Sequence, residues 1–154
     1  MKIFVDADAC PRPVKELLYR AADRRDIEIT FVANKYLNLP RSANLRFIQV
    51  RQGFDVADHK IIELLEAGDL VITADIPLAD EAVKAGALAL DPRGELYTSE
   101  NIGAIRAHRD FMATMRDSGV ELSGGPSAYA PQDKQRFANA LDRLLTRHHR
   151  PLED

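Results

Sequence analysis

The chain is poor in the features that mark several large classes of protein. Its 154 residues hold one cysteine, Cys10, so no intramolecular disulfide can form and a disulfide-stapled secreted scaffold is excluded. No apolar run approaches the roughly 18 residues that cross a bilayer as a helix, and residues 1–6 lack the basic and apolar regions of a signal peptide. A cytoplasmic protein without membrane association is the expectation. Neither sign of charge is in excess: 21 Lys and Arg stand against 24 Asp and Glu, a net of −3. A polyanion would therefore have to be met by a local basic patch rather than by the field of the whole protein. Glycine-rich phosphate loops are missing too, since neither a dinucleotide fingerprint nor a Walker loop follows the first apolar run. His59, His108, His148 and His149 lack the spacing of a zinc site. Cys10 is followed by Pro11, Arg12 and Pro13 rather than by the glycines and arginine of a thiolate phosphate loop, which leaves it a packing residue.

What is present is the balance of one globular domain, with 45% hydrophobic and 29% charged residues supplying a core and a surface. Residues 2–5 form a short apolar run closed by an Asp/Ala cluster and Pro11, the pattern of a buried strand feeding a helix. In that helix Val14, Leu17, Leu18, Ala21 and Ala22 share a stripe opposite Arg20, Arg24 and Arg25. Second and third strands are expected at 27–33 and 45–50, then a helix at 56–67 stopped by Gly68. A fourth strand at 70–73, a short helix from Pro77 to Gly86 and a fifth strand at 87–90 follow, before the turn Asp91-Pro92-Arg93-Gly94. Strands alternating with helices imply right-handed crossovers and a mainly parallel sheet covered on both faces, an α/β fold. Two more helices are expected, one capped by Ser99 and running to about Asp117, the other opened by Pro131. Ser123-Gly124-Gly125-Pro126-Ser127 separates them. The expectation is one domain over 1–147 and a polar, frayed tail over 148–154.

In open α/β sheets ligands bind beyond the carboxyl ends of the strands, and acids collect there in this chain. Asp6 and Asp8 follow the first strand, and two residues apart they point to one side if the chain stays extended. Asp75, with Thr73 on its side, holds the matching place after the fourth strand, so three carboxylates converge if these strands are neighbours. Asp58, beside Asp55 at the start of a helix, and Asp80, one turn into the Pro77 helix, are placed to reach inward. Four or five carboxylates in a small volume repel one another unless a cation neutralises them, and oxygen-only ligands suit Mg²⁺ or Mn²⁺. Such a site supports metal-assisted phosphodiester hydrolysis. Taken singly, Asp8, Asp55, Asp58, Asp75 and Asp80 each also suit a helix cap or first-turn charge. Asp6, directly after a buried run, has no such role. A basic complement lies between Ile29 and Phe54, where no acid occurs and Lys35, Arg41, Arg46 and Arg51 do. With Arg109, Lys134 and Arg136 these are candidate contacts to a polyanion such as RNA. Gly124-Gly125-Pro126 either offers amides to a phosphate or is a plain interhelical turn.

The segment Asp6-Ala7-Asp8-Ala9-Cys10-Pro11 resembles the YaiI/YqxD family of uncharacterised bacterial proteins. So do Ala57-Asp58, Val71-Ile72-Thr73-Ala74-Asp75-Ile76-Pro77-Leu78-Ala79, Gly94-Glu95-Leu96-Tyr97-Thr98, Arg109-Asp110 and Gly124-Gly125-Pro126. That family is similar in turn to the PIN-like nuclease superfamily, whose members hold Mg²⁺ or Mn²⁺ on clustered acids at the edge of a parallel sheet and cut RNA. The resemblance implies a five-stranded sheet of order 3-2-1-4-5 in a three-layer PIN-like sandwich, with the first and fourth strands adjacent. It implies that Asp6, Asp58 and Asp75 are catalytic metal ligands with Asp8 and Asp80 as auxiliaries. Thr73, Lys35, Arg41, Arg46, Arg51 and Arg109 are then the candidate substrate contacts. One departure stands out: the Glu that PIN domains carry early in the helices after the second or third strand is here an Asp, or its place falls to Glu63. Two other functions fit the same residues. One is a phosphohydrolase with Asp6 as covalent nucleophile and Asp8 as acid/base; the other is a non-catalytic RNA- or protein-binding module using Lys35, Arg41, Arg46 and Arg51. All three readings are open at this point.

Overall fold

The computed structural model describes residues 1–53, 55–121 and 127–149. The first apolar run is strand β1 (Ile3–Asp6), in which Ile3, Phe4 and Val5 are all buried. Both of its faces are covered, which is why the run is continuously apolar rather than alternating. A 3₁₀ turn (Ala7–Ala9) carries the chain into helix α1 (Arg12–Arg24), which buries Val14, Leu18, Ala21 and Ala22 along the expected stripe. α1 ends in a left-handed reversal at Asp26, φ 49°, where the Ile27 amide donates back to the Ala22 carbonyl at 3.0 Å.

Strands β2 (Ile29–Ala33) and β3 (Leu45–Gln49), helix α2 (Val56–Leu64), strand β4 (Leu70–Ile72), helix α3 (Ile76–Lys84) and strand β5 (Leu88–Leu90) follow. These strands pair in parallel in the expected order, β3-β2-β1-β4-β5. Among the described residues the sheet has a sixth strand, β6 (Leu96–Tyr97), antiparallel to β5. It corrects the expected count of five. The Asp91–Gly94 turn sends the chain straight back, and a strand of two residues is too short for alternation to reveal. Gly94 has φ 93°, and a Cβ there would lie 2.7 Å from the carbonyl carbon of Arg136 in helix α5 (Pro131–His148). The turn therefore rests directly on that helix backbone, and only glycine allows the approach.

Three layers result. Ile3, Val5 and Phe31 face α1 and α5 through Leu18, Phe137, Leu141 and Leu145. Phe4, Val32 and Val71 face α2 and α3 through Ile61, Leu78 and Ala82 on the other side. Helix α4 (Ile102–Asp117) lies outside α3, touching it through Ile102 and Ile105 against Ala79 and Val83. Each fully buried Leu, Ile or Phe contributes about 1.5–3 kcal/mol, and Phe31→Ala, at the centre of the first layer, removes about 3–5 kcal/mol.

Several element ends differ from expectation for local reasons. α2 stops at Leu64 rather than 67 because the buried Asp69 carboxylate accepts from the amides of Lys2 and Glu66, both at 3.0 Å, and pins the residues a further turn would need. α4 starts at Ile102 without a Ser99 cap, since the Asn101 side chain accepts from the Thr98 amide at 2.8 Å and donates to the Leu96 carbonyl at 2.9 Å. His148 closes α5, and the His149 Nε2 donates to the carbonyls of Arg25 and Asp26 at 3.2 and 3.1 Å, so the chain stays anchored past 147. Residues 122–126, with Gly124-Gly125-Pro126, and residues 150–154 lie outside the described residues. No described helix is long and apolar enough to cross a membrane.

The arrangement has one functional consequence. The chain leaves β1 toward β2 through α1 on one face, and leaves β4 toward β5 through α3 on the other. β1 and β4 are neighbours, so a crevice opens where their carboxyl ends part.

Candidate metal centre

Asp6 ends β1 at this crevice, and Thr73 and Asp75 leave β4 beside it. Thr73 is buried, and its hydroxyl accepts from the Asp75 amide at 2.9 Å while donating to Asp6 Oδ2 at 3.0 Å. Because the amide fixes the hydroxyl as an acceptor, its single proton is directed at Asp6. Thr73 thus orients the site rather than facing a substrate. Asp75 is the N-cap of α3, its Oδ1 accepting from the Leu78 amide at 3.0 Å. This is the cap that its sequence position allows.

Asp55 and Asp58 arrive from the start of α2. Asp55 holds the N-cap position at φ 59°, a left-handed conformation that Asp tolerates better than most residues. Asp58 lies in the first turn. One carboxylate oxygen from each of Asp55, Asp58 and Asp75 falls within 4.8 Å of the others. These acids, with His59, Leu78 and Arg109, line a cavity of about 150 Å³. Burial, followed by the charges of Asp75, Asp6 and Asp55, pushes the Asp58 carboxyl from its ordinary 3.8 up to about 7. Burial also raises Asp6, against the lowering effect of the Thr73 hydroxyl and with the help of Asp75 and Asp8.

The donor set fits a hard cation. Oxygens about 2.1 Å from an octahedral ion lie about 3.0 Å apart when adjacent and about 4.2 Å when opposite, so three carboxylate oxygens within 4.8 Å of one another close on an ion with shifts of up to about 1 Å each. A carboxyl that stays protonated near neutrality among three other acids is one whose charge lacks a neutralising partner.

The remaining candidates separate into those at the crevice and those away from it. Asp8 turns aside. The 3₁₀ turn breaks the extended geometry that would have aligned it with Asp6, and its Oδ2 and Oδ1 accept from the amides of Asn34 at 2.7 Å and Lys35 at 3.3 Å. It clasps β1 to the end of β2 rather than capping α1. Asp80 faces the opposite way: five residues past Asp75 it stands about 140° further round α3, buried and paired with Arg106 at 2.7 Å and Lys84 at 3.1 Å. Those cations, Arg106 foremost, hold its carboxyl below the usual range. Glu63 is exposed and paired with Lys60.

Lys35 and Arg51 follow the carboxyl ends of β2 and β3 on the same edge as the acids, and Arg109 lines the acidic cavity itself. Arg46 lies within β3 and pairs with Glu28. Arg41 neighbours Ser42, whose hydroxyl donates to Asp23 near the end of α1, at the opposite edge of the sheet. Neither Arg41 nor Arg46 is brought to the acids. Arg136 pairs with Asp133 at the start of α5, and Lys134 shares that first turn. Cys10 is buried in the α1/α5 layer, its thiol pushed up to about 12 by burial, in keeping with packing rather than nucleophilic use. Asp55 is the residue least visible in the sequence: beside Asp58 it reads as a simple cap, whereas its side chain makes no cap hydrogen bond and joins the cluster.

The model of a family described as "Uncharacterized BCR, YaiI/YqxD family" matches residues 4–147. The chain belongs to this family. It is 56% identical over 151 residues to a UPF0178 protein of Shewanella halifaxensis, covering 98% of this chain and 99% of that one. A UPF0178 protein of Vibrio cholerae is 57% identical over 147 residues, 96% of this chain and 98% of its own. One from Maridesulfovibrio salexigens is 56% identical over 147 residues, with 96% and 97% covered. No solved structure matches the chain.

Proposed function

We propose that this YaiI/YqxD protein is a divalent-metal-dependent phosphodiesterase acting on RNA, with Asp55, Asp58, Asp75 and Asp6 as the acids of its centre. The observation that carries the reading is the meeting of three carboxylate oxygens within 4.8 Å at the reversal of strand order, with Asp58 raised to about 7 among them. Mg²⁺ or Mn²⁺ held there supplies an activated water and neutralises charge on the phosphodiester. Asp75 has Oδ1 committed to α3 and offers Oδ2; Asp6 has Oδ2 committed to Thr73 and offers Oδ1. In the reaction a water oxygen attacks phosphorus, its proton passes to a carboxylate of the cluster, and the P–O bond to the leaving oxygen breaks, that oxygen taking a proton from solvent water. Arg109, on the wall of the same cavity, holds a phosphate oxygen.

The strand order agrees with what the PIN-like resemblance implies. The aspartyl-phosphate alternative needs Asp8 beside Asp6 as acid/base, and both Asp8 oxygens are occupied by backbone amides. Purified protein with Mn²⁺ is expected to cut a labelled RNA oligonucleotide, with Asp75→Asn and Asp58→Asn lowering the rate by at least about 100-fold. Calorimetric titration should show Mn²⁺ binding that both substitutions abolish. No cleavage of RNA together with no Mn²⁺ binding by the unaltered protein sinks the proposal.

A further inference from the structure

Helix α4 is long but poorly covered. Of its 16 residues Ile102 is the one that is fully buried, while Phe111 is 58% exposed. At about 100° per residue, Ala104, His108, Met112 and Ile105 share an arc of about 100°, and Arg116 and Arg109 extend it to about 140° on one side. This arc and Ile76 line a groove of about 480 Å³. Arg109 lines both this groove and the acidic cavity, and Ile76 of the groove lies between Asp75 and Pro77 of the cavity, so the two are neighbours.

We infer that this groove seats single-stranded RNA on one side of the scissile phosphate, a base lying against Ile76, Ile105, His108 and Met112 while Arg109 and Arg116 hold the backbone. This rests on the phosphodiesterase reading of the acid cluster. A strand leaving the acids over α4 meets apolar side chains along the middle of the groove and two arginines along one rim, in the order of a nucleotide's own parts. A duplex stacks its base faces inward, so the apolar floor would have no base face to bury. The charge favours the same occupant: the groove's charged members are Arg109 and Arg116, and among the described residues the one acid bonded to them is the exposed Asp110 at 3.2 Å from Arg109.

The test is fluorescence anisotropy of the full chain with a labelled eight-nucleotide oligouridine, in EDTA so that nothing is cut. A blunt RNA hairpin with a G·C-rich stem of eight pairs, stable as a duplex, is the control. The single strand is expected to bind at least about tenfold more tightly than the duplex, and Met112→Glu and Arg116→Glu each to weaken it by about tenfold. Arg116 is exposed, so its variant keeps the test valid if Met112→Glu fails to fold. Equal binding of duplex and single strand, or unchanged affinity in folded Arg116→Glu, overturns the inference. So does a dimer in light scattering that either substitution converts to monomer, since the groove is then an interface between copies. Mn²⁺ titration of the same proteins separates the two readings. Loss of RNA binding in the variants of a protein that binds no Mn²⁺ upholds the groove and removes the metal centre. Mn²⁺ binding and cleavage that the variants leave intact uphold the centre and remove the groove.

Discussion

Replacing Asp58 by Asn removes a carboxyl that burial and the charges of Asp75, Asp6 and Asp55 raise from 3.8 to about 7. The folded value lies above the unfolded one, so the folded chain holds an extra proton in that window. Stability from this group is then fully present below 3.8 and is lost as pH rises through about 7. The whole interval corresponds to about 4 kcal/mol at 1.36 kcal/mol per pH unit. The carboxyl is only half-buried and water screens it, which reduces the expected effect to about 1–2 kcal/mol. For a chain of this size that is a change of about 2–8 °C in melting midpoint. Thermal melts in EDTA from about pH 4.5 to about pH 8.5 should show the unaltered protein losing stability across the range. Asp58→Asn should melt higher at the alkaline end, keeping the slope that Asp6 contributes. Added Mn²⁺ should raise the midpoint of the unaltered protein by mass action and leave that of Asp58→Asn in place. A flat profile for the unaltered protein, with Asp58→Asn melting no higher at the alkaline end, would refute the electrostatic account of the cluster.

Other substitutions separate roles that coincide at the crevice. Asp75→Asn keeps a side-chain acceptor for the Leu78 amide and should melt close to the unaltered protein while losing Mn²⁺ affinity; Asp75→Ala should lose about 1 kcal/mol in denaturant titration as well. Thr73→Val removes the partner of the half-buried Asp75 amide and of the Asp6 carboxylate, which should lower unfolding free energy by about 1–2 kcal/mol, and Thr73→Ser should restore most of it. Asp80→Ala leaves Arg106 without its partner and should lower the melting midpoint by a few degrees while Mn²⁺ affinity, read by calorimetry, stays unchanged.

Residues whose surroundings are set by their own strand or turn were the legible ones. Asp6 and Asp75 follow buried apolar runs, and parallel topology alone puts such residues at one edge of the sheet, so their placement there is legible in the sequence, whereas the three acids that meet are Asp55, Asp58 and Asp75. Asp58 needed only the start of its helix. Asp80 is legible in part: helical spacing turns it about 140° from Asp75, but its partner there, Arg106, 26 residues further on in α4, leaves no local trace. Asp8 was misplaced by a single 3₁₀ turn that periodicity does not register. The basic stretch between β2 and β3 behaved similarly. Its composition was plain, but the loop crosses from one edge of the sheet to the other, so Lys35 and Arg51 end near the acids and Arg41 does not. β6 and the late start of α4 hang on the side chain of Asn101, a tie that no pattern of hydrophobicity encodes.

The hydrogen bond from Thr73 to Asp6 joins residues 67 apart, whereas the clasp of Asp8 on Asn34 joins residues 26 apart. Closing the longer loop costs about 0.8 kcal/mol more in chain entropy. The β1–β2–β3 half can therefore assemble on local terms, and the acids of α2 and α3 meet Asp6 when the second half docks along β1. Their mutual repulsion falls on that docking step. A cation able to bind all of them is thus a ligand for the folding reaction as much as for the folded protein, and a refolding rate that climbs with Mn²⁺ in stopped-flow measurements is its kinetic sign.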